Sequence, residues 1–432
     1  MLVSERFLDS LIMKMLKFFL IFLWAITVNV QFGGYVINLS LISNTLLSLL
    51  FIFTVSRNFG LLRKFILFNL TWLCVVTFLV LVTYIRASVN DAFLSTYFIS
   101  LIIFFLVYAC AIGQLVIICK SDVFAVLRFF VYALALNSLL VIFSVINFEY
   151  ISWIYDYIYV TEKQSRYLFG EVVFSRYSGL AVSGFSSLSV ANAFAIGIGL
   201  YLLITKQCNK KLMVLCIAAM FISNIWIGRS GIILACFYIG IYGLNLFSVD
   251  KYKFFMRTGH ALILGFIVVS LIPFDINFDR IRYAFEIFYA VSAGEESETL
   301  NILAGEYKLG FSTDSYQLLF GSGNLDYGRG SLFTDVGVVN ILHITGIIGL
   351  FVFFAPYFWV YLFKVNNLYL RIMYYSMPVI VISLNLKDTY LVGNTPSFKF
   401  FLLLLIFHIL SSEKYYDAQK NSRFNSALLP RR

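Results

Sequence analysis

Long apolar stretches recur along the whole chain, and most are long enough to cross a membrane as a helix. A spanning helix needs about 20 mostly apolar residues, and twelve segments satisfy or approach this length. They are centred on residues 16–30, 35–55, 65–85, 93–119, 123–147, 179–204, 212–227, 230–248, 260–274, 335–363, 372–386 and 396–411. The pattern predicts an all-α, polytopic integral membrane protein that forms one membrane domain over residues 1–432.

The composition supports this class of protein. Hydrophobic residues make up 61% of the chain and charged residues 12%, whereas soluble domains are about 45–50% apolar and about 25% charged. These values exclude an ordinary soluble enzyme, a nucleic-acid-binding domain and a disordered chain. The first apolar segment is not expected to be a cleaved signal peptide, because Glu5 and Asp9 lie in its flank and no small-residue cleavage site follows.

The basic residues indicate the orientation, because cytoplasmic loops are enriched in Lys and Arg. With the N-terminus in the cytoplasm, 21 of the 32 basic residues fall inside and 16 of the 22 acidic residues fall outside. Twelve spans then place the C-terminal tail, about 412–432, in the cytoplasm as well. The net charge of +10 is thereby explained by topology, so no nucleic-acid partner is expected.

Two long loops are predicted on the outer side, at about 148–178 and about 275–334 between spans 9 and 10. Loops longer than about 12–15 residues are uncommon and usually functional. The first loop contains an aromatic-rich helical stripe that includes Trp153 and Tyr157. This stripe is typical either of an interfacial helix lying on the membrane or of a surface on which sugars stack.

Several arginines are predicted at the outer boundary of the membrane. Arg229 lies in a turn of almost no length between two apolar spans, and Arg176 lies just before the sixth span. Each has two interpretations: a side chain that snorkels to lipid head groups, or a fixed cation for a phosphate. In the second loop, Arg282 has Glu286 as an i,i+4 partner, whereas Arg280 has no such neighbour.

Asp335 stands where the second outer loop returns to the membrane. It is either the N-cap of the tenth span or a general base at the mouth of an outer cavity. The six cysteines have no paired spacing, so neither a disulfide framework nor a zinc site is expected.

Short glycine-bearing motifs resemble those of the O-antigen polymerase and ligase superfamily. They are Arg176-Tyr177-Ser178-Gly179-Leu180, Gly228-Arg229-Ser230-Gly231, Phe320-Gly321-Ser322-Gly323, Thr334-Asp335-Val336-Gly337 and Gly346-Ile347-Ile348-Gly349-Leu350. Ligases of this superfamily carry a His-Asn pair eleven residues before the first glycine of the closing Gly-x-x-Gly. At that distance from Gly346 this chain has Asp335, as part of an Asp-x-Gly sequence typical of the polymerases.

The resemblance implies a polymerase of the bacterial inner membrane, with both termini cytoplasmic. It would join oligosaccharide repeat units carried on undecaprenyl diphosphate into O-antigen or a related surface polysaccharide, with no cofactor and no metal. The lipid-linked oligosaccharide would be both donor and acceptor, and a chain-length regulator and the flippase of the same pathway are further expected partners. The O-antigen ligase and the lipid-linked oligosaccharide flippase remain alternative functions.

Under this resemblance each candidate residue acquires a role. Asp335 is the expected catalytic base. The diphosphate would be bound by four arginines, namely Arg176, Arg229, Arg280 and Arg282. Sugars would stack on Trp153, Tyr157 and Tyr283.

Overall fold

The computed structural model describes residues 2–32, 34–55, 74, 77–78, 106–119, 122–159, 177–181, 185–244, 301, 315–321, 337–358, 361, 368–385 and 399–404. Most of these residues are helical. Within this described part of the chain, three helical stretches are long and apolar enough to cross a membrane, namely Phe124–Ile146, Ser187–Ile204 and Lys210–Ile227. A mostly helical chain with apolar helices of this kind is therefore confirmed. The predicted spans 65–85 and 260–274 lie outside the described residues, apart from positions 74, 77 and 78, so the count of twelve stays a prediction.

The elements follow the predicted apolar segments closely in the middle of the chain. The helices are α1 (Leu2–Ala25), α2 (Leu39–Val55), α3 (Leu106–Ile118), α4 (Val123–Ile146), α5 (Phe148–Tyr157), α6 (Phe185–Ile204), α7 (Lys210–Ile227), α8 (Arg229–Leu244), α9 (Ser315–Phe320), α10 (Gly337–Phe358) and α11 (Leu368–Asn385). Residues 399–404 form a further helical segment. The strands are β1 (Asn29–Phe32) and β2 (Tyr35–Asn38).

The β-hairpin corrects the purely helical prediction for the first two segments. Strands β1 and β2 pair antiparallel in a register that sets Asn29 opposite Asn38 and Phe32 opposite Tyr35. At the open end of the hairpin, the Ser40 hydroxyl accepts from the Val28 amide at 2.8 Å. Helix α1 ends at Ala25 and α2 begins only at Leu39. Residues 29–30 and 35–38, which were predicted as ends of the first two spans, belong instead to the strands of the hairpin.

The core is formed where α4, α6, α7 and α8 pack together. Helix α6 is central, because 94% of its residues Ser187–Ile204 are buried. Two of these helices have a capping side chain at their N-terminus. The Asp122 side chain accepts from the Ala125 amide at the start of α4. The Asn209 side chain accepts from the Lys211 and Leu212 amides at the start of α7. Such caps satisfy amides that have no partner inside the helix.

The last described segment packs against this core and contacts Thr27, just after α1, and Tyr108 of α3. The Phe400 ring stacks on Phe194 of α6 with ring centroids 4.3 Å apart. Beside it, the fully buried Lys399 donates from Nζ to the Thr27 hydroxyl at 3.1 Å and lies 4.5 Å from the centre of the Tyr108 ring. A hydroxyl acceptor and a cation–π contact thus hold this amine in the interior.

Candidate functional site

A tight turn forms the first part of the site. The Ala181 amide donates to the Ser178 carbonyl at 3.1 Å. Asn137, buried in α4, holds this turn at two points: Nδ2 donates to the Ser178 carbonyl at 3.1 Å, and Oδ1 accepts from the Leu180 amide at 2.9 Å. Because an unpaired amide is costly away from water, the turn and Asn137 stabilise each other.

Gly179 is required by the geometry of this turn. Its φ of +62° lies in the left-handed region that residues other than glycine rarely adopt. A Cβ at this position would also lie only 2.6 Å from Oδ1 of Asn137. The glycine of the Arg-x-Ser-Gly sequence therefore has a structural reason that is independent of any family resemblance.

The turn lies beside the end of α7. The Tyr177 amide donates to the Trp226 carbonyl at 3.4 Å. Two residues further on, Gly228 alone separates α7 from α8, and Arg229 is the first residue of α8. The predicted turn of almost no length is therefore confirmed, and the segments following Arg176 and preceding Arg229 are adjacent in space.

Helix α8 approaches α6 very closely just after this turn. A Cβ on Gly231 would lie 2.2 Å from the Ser189 carbonyl oxygen and 2.7 Å from the Ser189 Cβ. The hydroxyl oxygens of Ser189 and Ser230 lie 3.2 Å apart and share a hydrogen bond. Small residues that let helix backbones approach are typical of helix packing in membranes.

A buried polar cluster links α4, α6 and α7. Nδ2 of Asn192 lies 3.1 Å from the Ser138 hydroxyl, 3.3 Å from the Ser223 hydroxyl and 3.1 Å from Oδ1 of Asn224. All four residues are buried. The turn at Ser178–Ala181 that Asn137 holds is here called the clamped turn. Since Ser138 follows Asn137 directly, the polar cluster and the clamped turn are bound by adjacent residues of α4.

The helix predicted from the aromatic stripe is present and reaches this turn. One residue, Asn147, separates α4 from α5. The Tyr155 hydroxyl of α5 donates to the Gly179 carbonyl at 3.4 Å. Trp153 and Tyr157 form an edge-on ring pair with centroids 5.8 Å apart. Both rings are more than half exposed, at 60% and 54%, so they present an accessible aromatic surface.

Helix α10 is interrupted at Gly346, where the backbone has φ +67° and ψ −173°. The short helix α9 packs against this break. A Cβ on Gly346 would lie 2.3 Å from the Leu319 carbonyl oxygen and 2.5 Å from the Gly321 amide nitrogen. The structure thus brings together two of the motifs given above, Phe320-Gly321 and the glycine at 346.

The remaining predicted site residues have different outcomes. Arg229 is described only as the first backbone position of α8. Five residues lie outside the described part of the chain, so their predicted roles stay predictions: Arg176, Arg280, Arg282, Tyr283 and Asp335. Among the residues that the structure describes, no three His, Cys, Asp or Glu side chains are grouped so that they could hold a metal ion.

Sequence reasoning missed Asn137, Asn192 and Tyr155 as parts of the site. Asn137 and Asn192 each stand as an amide in an otherwise apolar span. That is a usable signal, because a polar side chain in such a span needs a partner inside the protein. The identity of the partner was not readable, since it comes from another segment of the chain.

No protein-family model matches this sequence, and searches of curated proteins and of solved structures found no similar protein.

Proposed function

We propose that the chain is a membrane glycosyltransferase that joins lipid-diphosphate-linked oligosaccharide repeat units into a surface polysaccharide on the outer face of the bacterial inner membrane. The observation that carries this proposal is the hydrogen bond between the Tyr177 amide and the Trp226 carbonyl. Arg176 is one residue from the first partner and Arg229 is three residues from the second. Two arginines with a predicted phosphate-binding role are therefore close along the chain to a pair of residues that contact each other.

Two arginine side chains close to each other would suit the leaving group of this reaction. When the bond between the sugar and the diphosphate breaks, negative charge develops on the diphosphate. Arginine stabilises such charge through paired N–H donors that match the phosphate oxygens. In this proposal Arg176 and Arg229 bind the diphosphate, with Arg280 and Arg282 of the second outer loop as additional cations.

The attacking hydroxyl of the acceptor sugar must lose a proton as the new glycosidic bond forms. Asp335 is the proposed base, since a carboxylate within hydrogen-bond reach of that hydroxyl can accept the proton. Trp153, Tyr157 and Tyr283 are the proposed sugar contacts, and the exposure of the Trp153–Tyr157 pair supports this role. Cleavage of the bond between the donor sugar and the diphosphate supplies the free energy of the transfer.

Asp335→Asn tests the proposed base. Asparagine keeps the size and caps a helix about as well as aspartate, but it cannot accept the proton. We expect normal accumulation in the membrane and a loss of polymer of about 10²–10⁴ in rate, as is typical when a general base is removed. Cell-surface polysaccharide would be resolved by gel electrophoresis, where loss of polymerase activity leaves single repeat units.

Asp156→Asn is the matched control for this substitution. Asp156 is an exposed carboxylate on α5, and its replacement should leave chain length unchanged. Polymer of near wild-type length in Asp335→Asn would show that Asp335 is a cap and that the base lies elsewhere.

A second candidate function is a flippase for the same lipid-linked oligosaccharide. It is favoured by the interruption of α10 at Gly346, because transporters often form substrate sites at broken membrane helices. Deletion of the chain distinguishes the two functions. Loss of a polymerase leaves one repeat unit at the cell surface, whereas loss of a flippase leaves none.

A further inference from the structure

The hairpin and helix α5 form one structural unit, here called the hairpin–helix platform (residues 29–38 and 148–159). The Tyr159 amide donates to the Asn29 carbonyl at 3.1 Å, and Val30 forms an antiparallel bridge with Ile158. Ile154 of α5 is only 7% exposed. The platform is thus held by backbone hydrogen bonds and by a buried side chain.

The exposed surface of this platform is largely aromatic and apolar, although the Asp156 carboxylate of α5 is exposed as well. Phe32 and Tyr35 of the hairpin are 75% and 78% exposed, and Trp153 of α5 is 60% exposed. Val36 and Ile37 are exposed as well. The ten residues from 29 to 38 include no charged side chain, which is unusual for a hairpin that faces only water.

This surface is continuous with apolar stripes on two neighbouring helices. On α4 the exposed apolar residues are spaced by three or four positions, as on one face of a helix: Leu136, Leu139, Phe143 and Ile146. On α2 the exposed apolar residues include Leu39, Ile42, Leu46 and Leu49. The α4 stripe ends two residues before α5, and the α2 stripe begins directly after β2. An apolar stripe on the outside of such a helix faces lipid chains, and the platform begins at the end of both stripes.

We propose that the hairpin–helix platform lies on the bilayer, at the boundary between head groups and acyl chains of the leaflet where α1 and α4 end. Trp and Tyr rings are favoured at this level because the apolar ring can rest on acyl chains while its N–H or O–H stays hydrated. Phe32 supplies a further apolar ring to the same surface. Among the described residues β2 pairs with β1 alone, and a backbone edge that has no strand neighbour fits this level, because head groups and water can satisfy it whereas hydrocarbon cannot. The partner is therefore the lipid surface.

The platform also connects the bilayer surface to the candidate site. The hydroxyl of Tyr155 on α5 donates to the Gly179 carbonyl in the clamped turn. A platform that rests on the head groups fixes the height of this turn, and with it the segment that follows Arg176. This inference stands whether or not the chain is a glycosyltransferase, but it is an alternative to the sugar-stacking role proposed for Trp153, because a ring that rests on lipid is not open to a sugar.

Spin-label depth measurements test the proposal. A single nitroxide would be placed at Ile37→Cys or Trp153→Cys in an otherwise cysteine-free chain, purified into nanodiscs that contain only this protein and phospholipid. Collision with oxygen, which partitions into lipid, is compared with collision with a water-soluble nickel chelate. We expect an oxygen-to-nickel ratio several-fold above that of a label at Gln207, an exposed loop residue, and below that of a label at Leu139 on the α4 stripe. The corresponding depth is about 5–10 Å into the boundary region.

The two labels lie on different elements, so a variant that fails to fold leaves the other to decide. Ratios at Ile37 and Trp153 equal to that at Gln207 would overturn the proposal, because the platform would then face water. Strong spin–spin coupling between labels of different molecules would also overturn it, since the surface would then be covered by a second copy of the chain.

Discussion

Replacing Gly231 by alanine tests how closely α8 and α6 are packed. The added Cβ would lie 2.2 Å from the Ser189 carbonyl oxygen and 2.5 Å from its carbonyl carbon. Ordinary van der Waals contact begins at 3.4 Å, so the two helices must separate by about 1 Å. The obstructing atoms belong to the backbone of a buried helix and cannot rotate away as a flexible side chain would.

The size of the effect follows from two opposing contributions. Overpacking of a close-packed interior costs about 1–3 kcal/mol. Alanine in place of glycine inside a helix contributes about 1 kcal/mol in the opposite direction. The separation would also stretch the 3.2 Å contact between the Ser189 and Ser230 hydroxyls. We therefore expect net destabilisation of up to about 2 kcal/mol, together with displacement of Arg229 at the start of α8.

Gly240→Ala is the matched control, because Gly240 lies on the same helix and its Cβ would have nothing within 4 Å. Thermal unfolding of both variants in detergent, followed by fluorescence-detected size exclusion, should show a lower Tm for Gly231→Ala. Gly240→Ala should match or exceed the wild-type Tm by the helix-propensity gain alone. If both variants melted at or above the wild-type temperature, the close approach of α8 to Ser189 would be refuted.

Three further outcomes are expected. Asn137→Ala should lower the Tm and reduce polymer, since it leaves the part-buried Leu180 amide without its acceptor at a cost of about 1–3 kcal/mol, whereas the Ser178 carbonyl keeps the Ala181 amide as donor; an unchanged Tm would mean that the turn holds itself. Arg229→Ala should abolish polymer while the protein still inserts, and Arg229→Lys should recover little, because lysine cannot form the planar fork; full activity in both would make Arg229 only an anchor. In intact spheroplasts, a cysteine replacing Glu296 should react with an impermeant maleimide, whereas Cys208 as the single cysteine should react only after permeabilisation. Burial raises the pKa of the Cys208 thiol, so its labelling should accelerate as the pH is raised above neutrality; the reverse pattern of access would overturn the orientation.

The hairpin shows where the hydrophobic pattern was insufficient. Val30, Val36 and Ile37 fitted the ends of two predicted spans, because an apolar run by itself does not distinguish strand from helix. The usable signal was the glycine pair that follows Phe32, flanked by β-branched and aromatic residues. Gly34 indeed adopts φ +84° in the turn between the strands.

The interruption of α10 had a weaker signal. Glycine is frequent in membrane helices, so Gly346 alone did not predict a break. The break depends on α9, whose Leu319 carbonyl occupies the place of a side chain at position 346. That contact joins residues that are separated by 27 positions in the chain, and no local pattern encodes it.

The sequence by itself determined the helical, membrane-type character of the chain and the bounds of its central helices. It also determined the one-residue turn at Gly228. These features are local: an apolar run, a capping side chain or a glycine acts within a few residues. Only the tertiary structure decided that the turn at Ser178 lies against Asn137, that its neighbour Tyr177 meets Trp226, and that the hairpin joins α5. Such pairings depend on complementary shape and on polar groups finding partners in an apolar interior, and both properties arise only when distant segments pack together.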